Sequence, residues 1–200
     1  MNKEFLNSAL ALFNESEQWN AFIDLFELKD AVQKAWVDRA TAQMKERFHS
    51  DEQWRIEFGN WMDARWHFIS PSPIAVNFWL SYEGNLHFVA GGENGKKAEL
   101  IGEIFEHAKY DPLRYVWGTD IQTNVSFNIK VKQAGKWYFD SPYDGDMPYQ
   151  RLCWYAGNAT KKYIDQIAEK VEKFRERSIV ELLTKFQLEV ESSFAENGMS

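Results

Sequence analysis

Carboxylates gathered in one short run are the first residues of this chain that could do chemistry. Asp140-Ser141-Pro142-Tyr143-Asp144-Gly145-Asp146 sets three acids into a stretch rich in turn formers. Asp140, Asp144 and Asp146 could therefore converge on a hard cation such as Mg²⁺ or Ca²⁺, with Glu93 as a further ligand. The run lacks the twelve-residue spacing and closing Glu of a calcium loop. Asp and Gly are also the ordinary residues of turns, where Asp bonds its own backbone. The turn reading is the simpler one, and a metal-dependent phosphodiester hydrolase using this loop is the alternative.

Other reaction centres are poorly served. A metal nuclease of the Asp…Glu-x-Lys type needs its acids and lysine on adjacent strands. The Glu-x-Lys here, Glu27-Leu28-Lys29, falls in a helical stretch. No phosphate-binding Gly-x-x-x-x-Gly-Lys-Ser/Thr, Gly-x-Ser-x-Gly elbow or Cys/His zinc spacing occurs. His49, His67, His87 and His107 are isolated from one another in sequence, and Cys153 lies between Leu152 and Trp154, where a buried structural thiol is expected. These patterns call for no cofactor and lean away from an enzyme.

Aromatic residues are the compositional surplus: 9 Trp, 8 Tyr and 15 Phe among 200 residues. Trp36, Trp54 and Trp61 are expected in the core. Arg114-Tyr115-Val116-Trp117 and the run from Trp137-Tyr138-Phe139 through Tyr143 to Tyr149 cannot all point inward. Exposed Trp, Tyr and Arg dominate the energetics of protein interfaces. Arg114, Tyr115, Trp117, Trp137, Tyr138, Tyr143 and Tyr149 are therefore the candidate interaction residues. An aromatic pocket for a small ligand, as in a metabolite sensor, is a third reading of the same surplus.

The elements that must carry these residues follow from hydrophobic period. Apolar residues recur at helical spacing from Phe5 to Phe13 and again from Phe22 to Val37, with Asn14 to Ser16 between them. Ser50-Asp51-Glu52-Gln53 fits a capping box, and Trp54, Phe58, Trp61 and Met62 extend a helical stripe from it. Pro71-Ser72-Pro73 ends the helical part. Val76, Phe78, Leu80 and Tyr82 then alternate with polar or exposed positions, and Leu86 to Ala90 returns as the second strand of a hairpin. A helix over 96–110 leads to a second hairpin, whose strands are Val125–Val131 and Trp137–Phe139. The fold class is α+β: an antiparallel sheet of about four strands (hairpin, helix, hairpin), with N-terminal helices and a long C-terminal helix. The parts are a helical segment 1–70, a sheet region 71–157 and a C-terminal helix 158–200, forming one domain. A straight helix over 158–194 would be about 55 Å long, against a globule about 43 Å across. It is expected to bend near Arg175–Ser178.

Charge completes the sequence reading. The net charge is −7, with 8 basic and 12 acidic residues in 1–74, 8 and 10 in 75–157, and 7 and 8 in 158–200. No basic cluster tracks a phosphate backbone, which speaks against direct nucleic-acid binding. No apolar run approaches the roughly 20 residues of a membrane span. The amino terminus carries no secretory signal pattern and the lone cysteine suits a reducing compartment, so a cytoplasmic location is expected. The favoured function is a non-catalytic protein that binds another protein. It would be an inhibitor of the immunity type or a regulatory subunit, acting on a basic, nucleic-acid-handling partner, with the C-terminal helix offering a homodimer surface.

Overall fold

The computed structural model describes residues 3–81, 86–91, 95–116, 121–124, 128–132 and 149–199. Three helices open the chain: α1 (Lys3–Leu12), α2 (Ser16–Glu27) and α3 (Lys29–Arg47). Four strands follow, β1 (Trp54–Phe58), β2 (Ala64–Phe68), β3 (Ala75–Leu80) and β4 (Leu86–Gly91). Next come α4 (Gly95–Phe105), a 3-10 turn (Ala108–Tyr110), α5 (Asp111–Arg114), β5 (Ile121–Asn124) and β6 (Asn128–Lys132). The chain closes with α6 (Tyr149–Asn158), α7 (Thr160–Arg175) and α8 (Arg177–Glu196). Among the described residues the strands form one antiparallel sheet in the order β1-β2-β3-β4-β6-β5. This is the α+β class with an antiparallel sheet and a hairpin–helix–hairpin order, enlarged by β1 and β2.

Those two strands correct the expected helix over 50–63, and with it the helical reading of 1–70. Ser50 and Asp51 do not cap a helix. Asp51 Oδ1 accepts the amides of Gln53 and Trp54 (both 2.8 Å), and Ser50 Oγ accepts that of Ile56 (2.9 Å). The same side chains that could cap a helix thus close a turn, as Asx motifs do. Beyond it Trp54 is buried, Ile56 and Phe58 are half-buried, and Arg55 and Glu57 are exposed. Trp54, Phe58, Trp61 and Met62 satisfy a helical spacing by coincidence. The alternation at 54, 56 and 58 wins because Ile56 and Phe58 pair across to Trp66 and Ala64, in a register that β3 continues.

In the second hairpin the partner of β6 is β5, which precedes it, with Asn124 opposite Asn128 and Ile121 opposite Val131. Residues 125–127 and the expected strand Trp137–Phe139 lie outside the described residues. The C-terminal segment bends where the length argument requires. Glu176 adopts an extended conformation (φ −59°, ψ 134°) between α7 and α8, and its carbonyl accepts the amides of Ile179 and Val180 to start the second helix.

The core lies between one face of the sheet and α3, α6, α7 and α8. Trp54, Trp66, Val76, Phe78 and Leu80 project from the sheet, and Met44, Ile167, Phe174, Leu183 and Phe186 meet them from the helices. The opposite face of the sheet carries Arg55, Glu57, Arg65 and His67; His67 Nε2 lies 3.1 Å from Glu57 Oε2, and the guanidinium of Arg65 sits over Trp79. Among the described residues no helix is long and apolar enough to cross a membrane.

A polar clamp fastens the 3-10 turn to α8. Glu189 accepts a hydrogen bond from Tyr110 Oη (2.6 Å), pairs with Lys109, and lies 3.2 Å from His107 Nδ1. Burial pushes the Glu189 carboxyl up, but the bonds from Lys109, Tyr110 and His107 outweigh it and hold the group below its ordinary 4.5. A carboxylate with a depressed native pKa contributes stability above its unfolded value and loses it as pH falls through the native one. The thermal midpoint should therefore fall as pH drops below about 4.5, and fall less steeply in Glu189→Gln. Parallel midpoint-versus-pH curves for the two proteins would contradict the clamp.

Candidate functional site

The most unusual surface belongs to α1 and α2. In α3, Met44, Ala40 and Val37 are buried; in the preceding α2, Phe26, Ile23, Phe22 and Trp19 recur at spacings of three and four. Leu28 ends one helix and starts the next: its N–H bonds Asp24 O in the last turn of α2, and its carbonyl accepts the Val32 amide in the first turn of α3. No residue of α2 is buried.

What remains open is large. Leu6, Leu10 and Leu12 of α1, Trp19, Phe22, Ile23, Leu25 and Phe26 of α2, and Leu28 and Val32 beyond it are each 36–66% exposed. These ten side chains lie on several faces of the arm, and Trp19, Phe22, Ile23 and Phe26 share one of them. Phe13 packs edge-on to Trp19 (5.9 Å between ring centroids) and against Phe22 (4.7 Å), so the link between the helices is ordered by its own aromatics. Charge is concentrated here as well. Residues 3–28 hold Glu4, Glu15, Glu17, Asp24 and Glu27 against the single base Lys3. The next 19 residues, α3, hold Lys29, Lys34, Arg39, Lys45 and Arg47 against Asp30, Asp38 and Glu46. Two successive helices joined at Leu28 thus differ in charge, α2 acidic and α3 basic.

An open groove of about 1000 Å³ runs along α3 beside this arm. Its long wall is the face of α3 from Lys29 through Gln33, Val37 and Thr41 to Lys45; Gly59, Asn60, Trp61 and Gln150 form the other side. Trp61, expected in the core, is 59% exposed on the rim. The turn between β1 and β2 holds it there. Asp63 accepts the Trp61 amide on Oδ1 (3.1 Å) and the Gly59 amide on its carbonyl (2.9 Å). A Cβ at Gly59 would lie 2.1 Å from the Asp63 carboxylate, so only glycine lets that side chain close the turn. Met62 sits at φ 61°, a conformation that costs a non-glycine residue about 1–2 kcal/mol. Its side chain is fully buried, which contributes roughly 1.5–3 kcal/mol and keeps the turn in place.

Behind the groove lies a small buried polar cluster. Tyr149 at the start of α6 lies beside Cys153 and Gln33, and its ring meets Trp61 edge-on at 6.2 Å. Burial raises the Cys153 thiol above its ordinary value, and Tyr149 and Gln33 only partly oppose it. A thiol held protonated in this way is structural rather than a poised nucleophile. The described histidines stand apart: His49 follows α3, His67 is on β2 and His107 follows α4.

Of the candidate interaction residues, Arg114 and Tyr115 end α5. Arg114 pairs with Asp111 and lies over the Tyr115 ring (5.5 Å), and Tyr115 is 47% exposed. Tyr149 belongs to the half-buried cluster beside Trp61, on different elements. Trp117, Trp137, Tyr138 and Tyr143, and the candidate ligands Asp140, Asp144, Asp146 and Glu93, lie outside the described residues. Among the described residues no group of three or more His, Cys, Asp or Glu side chains could hold a metal ion. The apolar stripe of α8, on which a C-terminal dimer surface would rest, is buried within the chain through Ile179, Leu183, Phe186 and Val190.

No protein-family model matches the chain, and comparison with curated proteins and with solved structures finds none that matches. The surface has to be interpreted from its own chemistry. Sequence reasoning missed Trp19, Phe22, Phe26 and Trp61 as surface residues. The available signal was the charge of residues 3–28, five acids against one base, which is diluted when 1–74 is taken as a block.

Proposed function

We propose that the protein is a non-catalytic protein-binding protein that engages another polypeptide through the α1–α2 arm. The observation that carries this reading is the apolar stripe of α2, where Trp19, Phe22, Ile23 and Phe26 stay 36–65% exposed even though Phe13 packs on two of the rings. Leaving that much apolar surface wet opposes solubility, and association with another polypeptide removes it from water. The acids that flank the stripe favour a partner with basic residues around an apolar centre, and disfavour a phosphate backbone. Arg114 and Tyr115 offer a smaller, separate contact. An inhibitory or regulatory role on such a partner is the biological form of this reading, in a reducing compartment where Cys153 stays a thiol.

A photo-crosslinking amino acid placed at Leu25, on the arm, tests it. The comparison position is Lys161 on α7, whose side chain is 88% exposed. Leu25 should yield discrete protein adducts in the expressing cell that Lys161 does not. Equal or absent adducts from the two positions would overturn the reading.

A further inference from the structure

Resting on that reading of the arm, we propose that its partner is a second copy of this chain, with the acidic α2 of each protomer lying antiparallel in the α3 groove of the other. Three independent features point to this occupant. The first is dimension. The groove follows α3 from Lys29 to Lys45, about 24 Å at 1.5 Å per residue, and α2 with its 12 residues is about 18 Å long. A helix from the partner fits along it end to end.

The second is charge. Lys29, Lys34 and Lys45 line the groove together with Asp30 and Asp38, while α2 and its entry bring Glu15, Glu17, Asp24 and Glu27. Because an acidic helix is followed directly by a basic one, two copies related by a two-fold axis complement each other when each acidic α2 lies against the other's α3. A parallel pair would set the acidic helices side by side. The third is the apolar face of α2 itself, on which Trp19, Phe22, Ile23 and Phe26 are 36–65% exposed and supply the aromatic anchors that dominate interfaces.

The apolar parts also correspond. Trp19, Phe22, Ile23 and Phe26 of one arm would lie between the exposed Ala42 side of the partner's α3 and Trp61 of the same groove. Trp61 is then an anchor: an exposed tryptophan held at the rim by a strained turn. The interface is isologous, since each protomer supplies one arm and one groove, and it closes at two copies.

The test is sedimentation equilibrium of the purified full chain over a concentration series. The expected mass is twice the 23.5 kDa of the chain. Phe22→Glu with Phe26→Glu should sediment as a monomer while keeping the circular dichroism spectrum of the parent, because neither side chain is buried. Two charge variants then test the pairing itself. Glu17→Lys with Glu27→Lys, and Lys34→Glu with Lys45→Glu, should each weaken self-association at low salt at least tenfold. Mixed together they should recover the dimer, since both arm–groove junctions of the mixed pair regain opposite charge. A parent chain that is monomeric throughout, a dimer that survives the Phe22/Phe26 change, or a mixture that stays monomeric overturns the proposal. An arm adduct with a different protein, formed by a chain that sediments as a monomer, would overturn self-pairing and leave the protein-binding function standing.

Discussion

Phe78→Ala should unfold the protein some 6–20 °C below the parent. Phe78 is fully buried at the centre of β3, where four aromatic rings meet. Its ring stacks on Trp66 (5.4 Å, 20°), lies 4.8 Å from Trp54, and touches Phe174 of α7 at 4.7 Å. It therefore ties β1 and β2 to one another and the sheet to the C-terminal helices. Removing a buried phenylalanine costs about 3–5 kcal/mol, because the lost transfer energy is joined by a cavity that rigid neighbours cannot fill. Each kcal/mol lowers the midpoint by roughly 2–4 °C in a chain of this size. Thermal melts followed by tryptophan fluorescence check it directly, since Trp54 and Trp66 line the cavity and their emission should move to longer wavelength. A drop of only a degree or two would mean that the aromatic cluster relaxes freely, contrary to the packing described.

Much of this architecture was legible from period alone. Val76, Phe78 and Leu80 alternate cleanly because one face of β3 is core and the other is not, and no competing helical spacing exists there. The break at Glu176 followed from length against diameter, without any local signal. Residues 54–62 were ambiguous for a physical reason. Their apolar positions satisfy both periods, and Ser50 and Asp51 bond free amides equally well in a helix cap or a turn. Pairing with β3, a contact between segments distant in sequence, decides between them. The arm illustrates a different limit. An apolar face covered by the chain itself and one left for another chain have the same spacing, so Phe22 and Phe26 read as part of an ordinary buried stripe. Only the place where the body of the protein ends, beyond Val37, distinguishes them. The aromatics singled out from composition were chosen for crowding along the chain, and crowding does not measure exposure: Tyr149 proved half-buried, whereas Trp61, expected in the core, stands on the surface.

Two glycines in helices should respond to alanine with opposite sign, although helix propensity alone predicts a gain of up to about 1 kcal/mol at either. Gly102 in α4 has nothing within 4 Å of an added Cβ. Gly102→Ala should therefore raise the midpoint by about 1–4 °C, because the unfolded chain loses freedom and the native state meets no obstacle. Gly157 near the end of α6 is buried, and an added Cβ would lie 2.4–2.5 Å from the Cβ, Cγ and Cδ1 of Trp36. Those atoms sit close to the α3 backbone and cannot rotate away, so α3 and α6 must separate. The Gly157 carbonyl also accepts Arg39 Nη1 and Thr160 Oγ1, both at 3.0 Å, and separation stretches the first of these. Overpacking of this kind costs about 1–3 kcal/mol, which exceeds the propensity gain, and Gly157→Ala should lower the midpoint by roughly 2–8 °C. Paired melts of the two variants decide the matter. Stabilisation by both would show that α3 and α6 are free to move apart, and because α3 carries both the groove and the arm, its seating on α6 would then be too loose to hold the Lys29–Lys45 face in register with a partner helix.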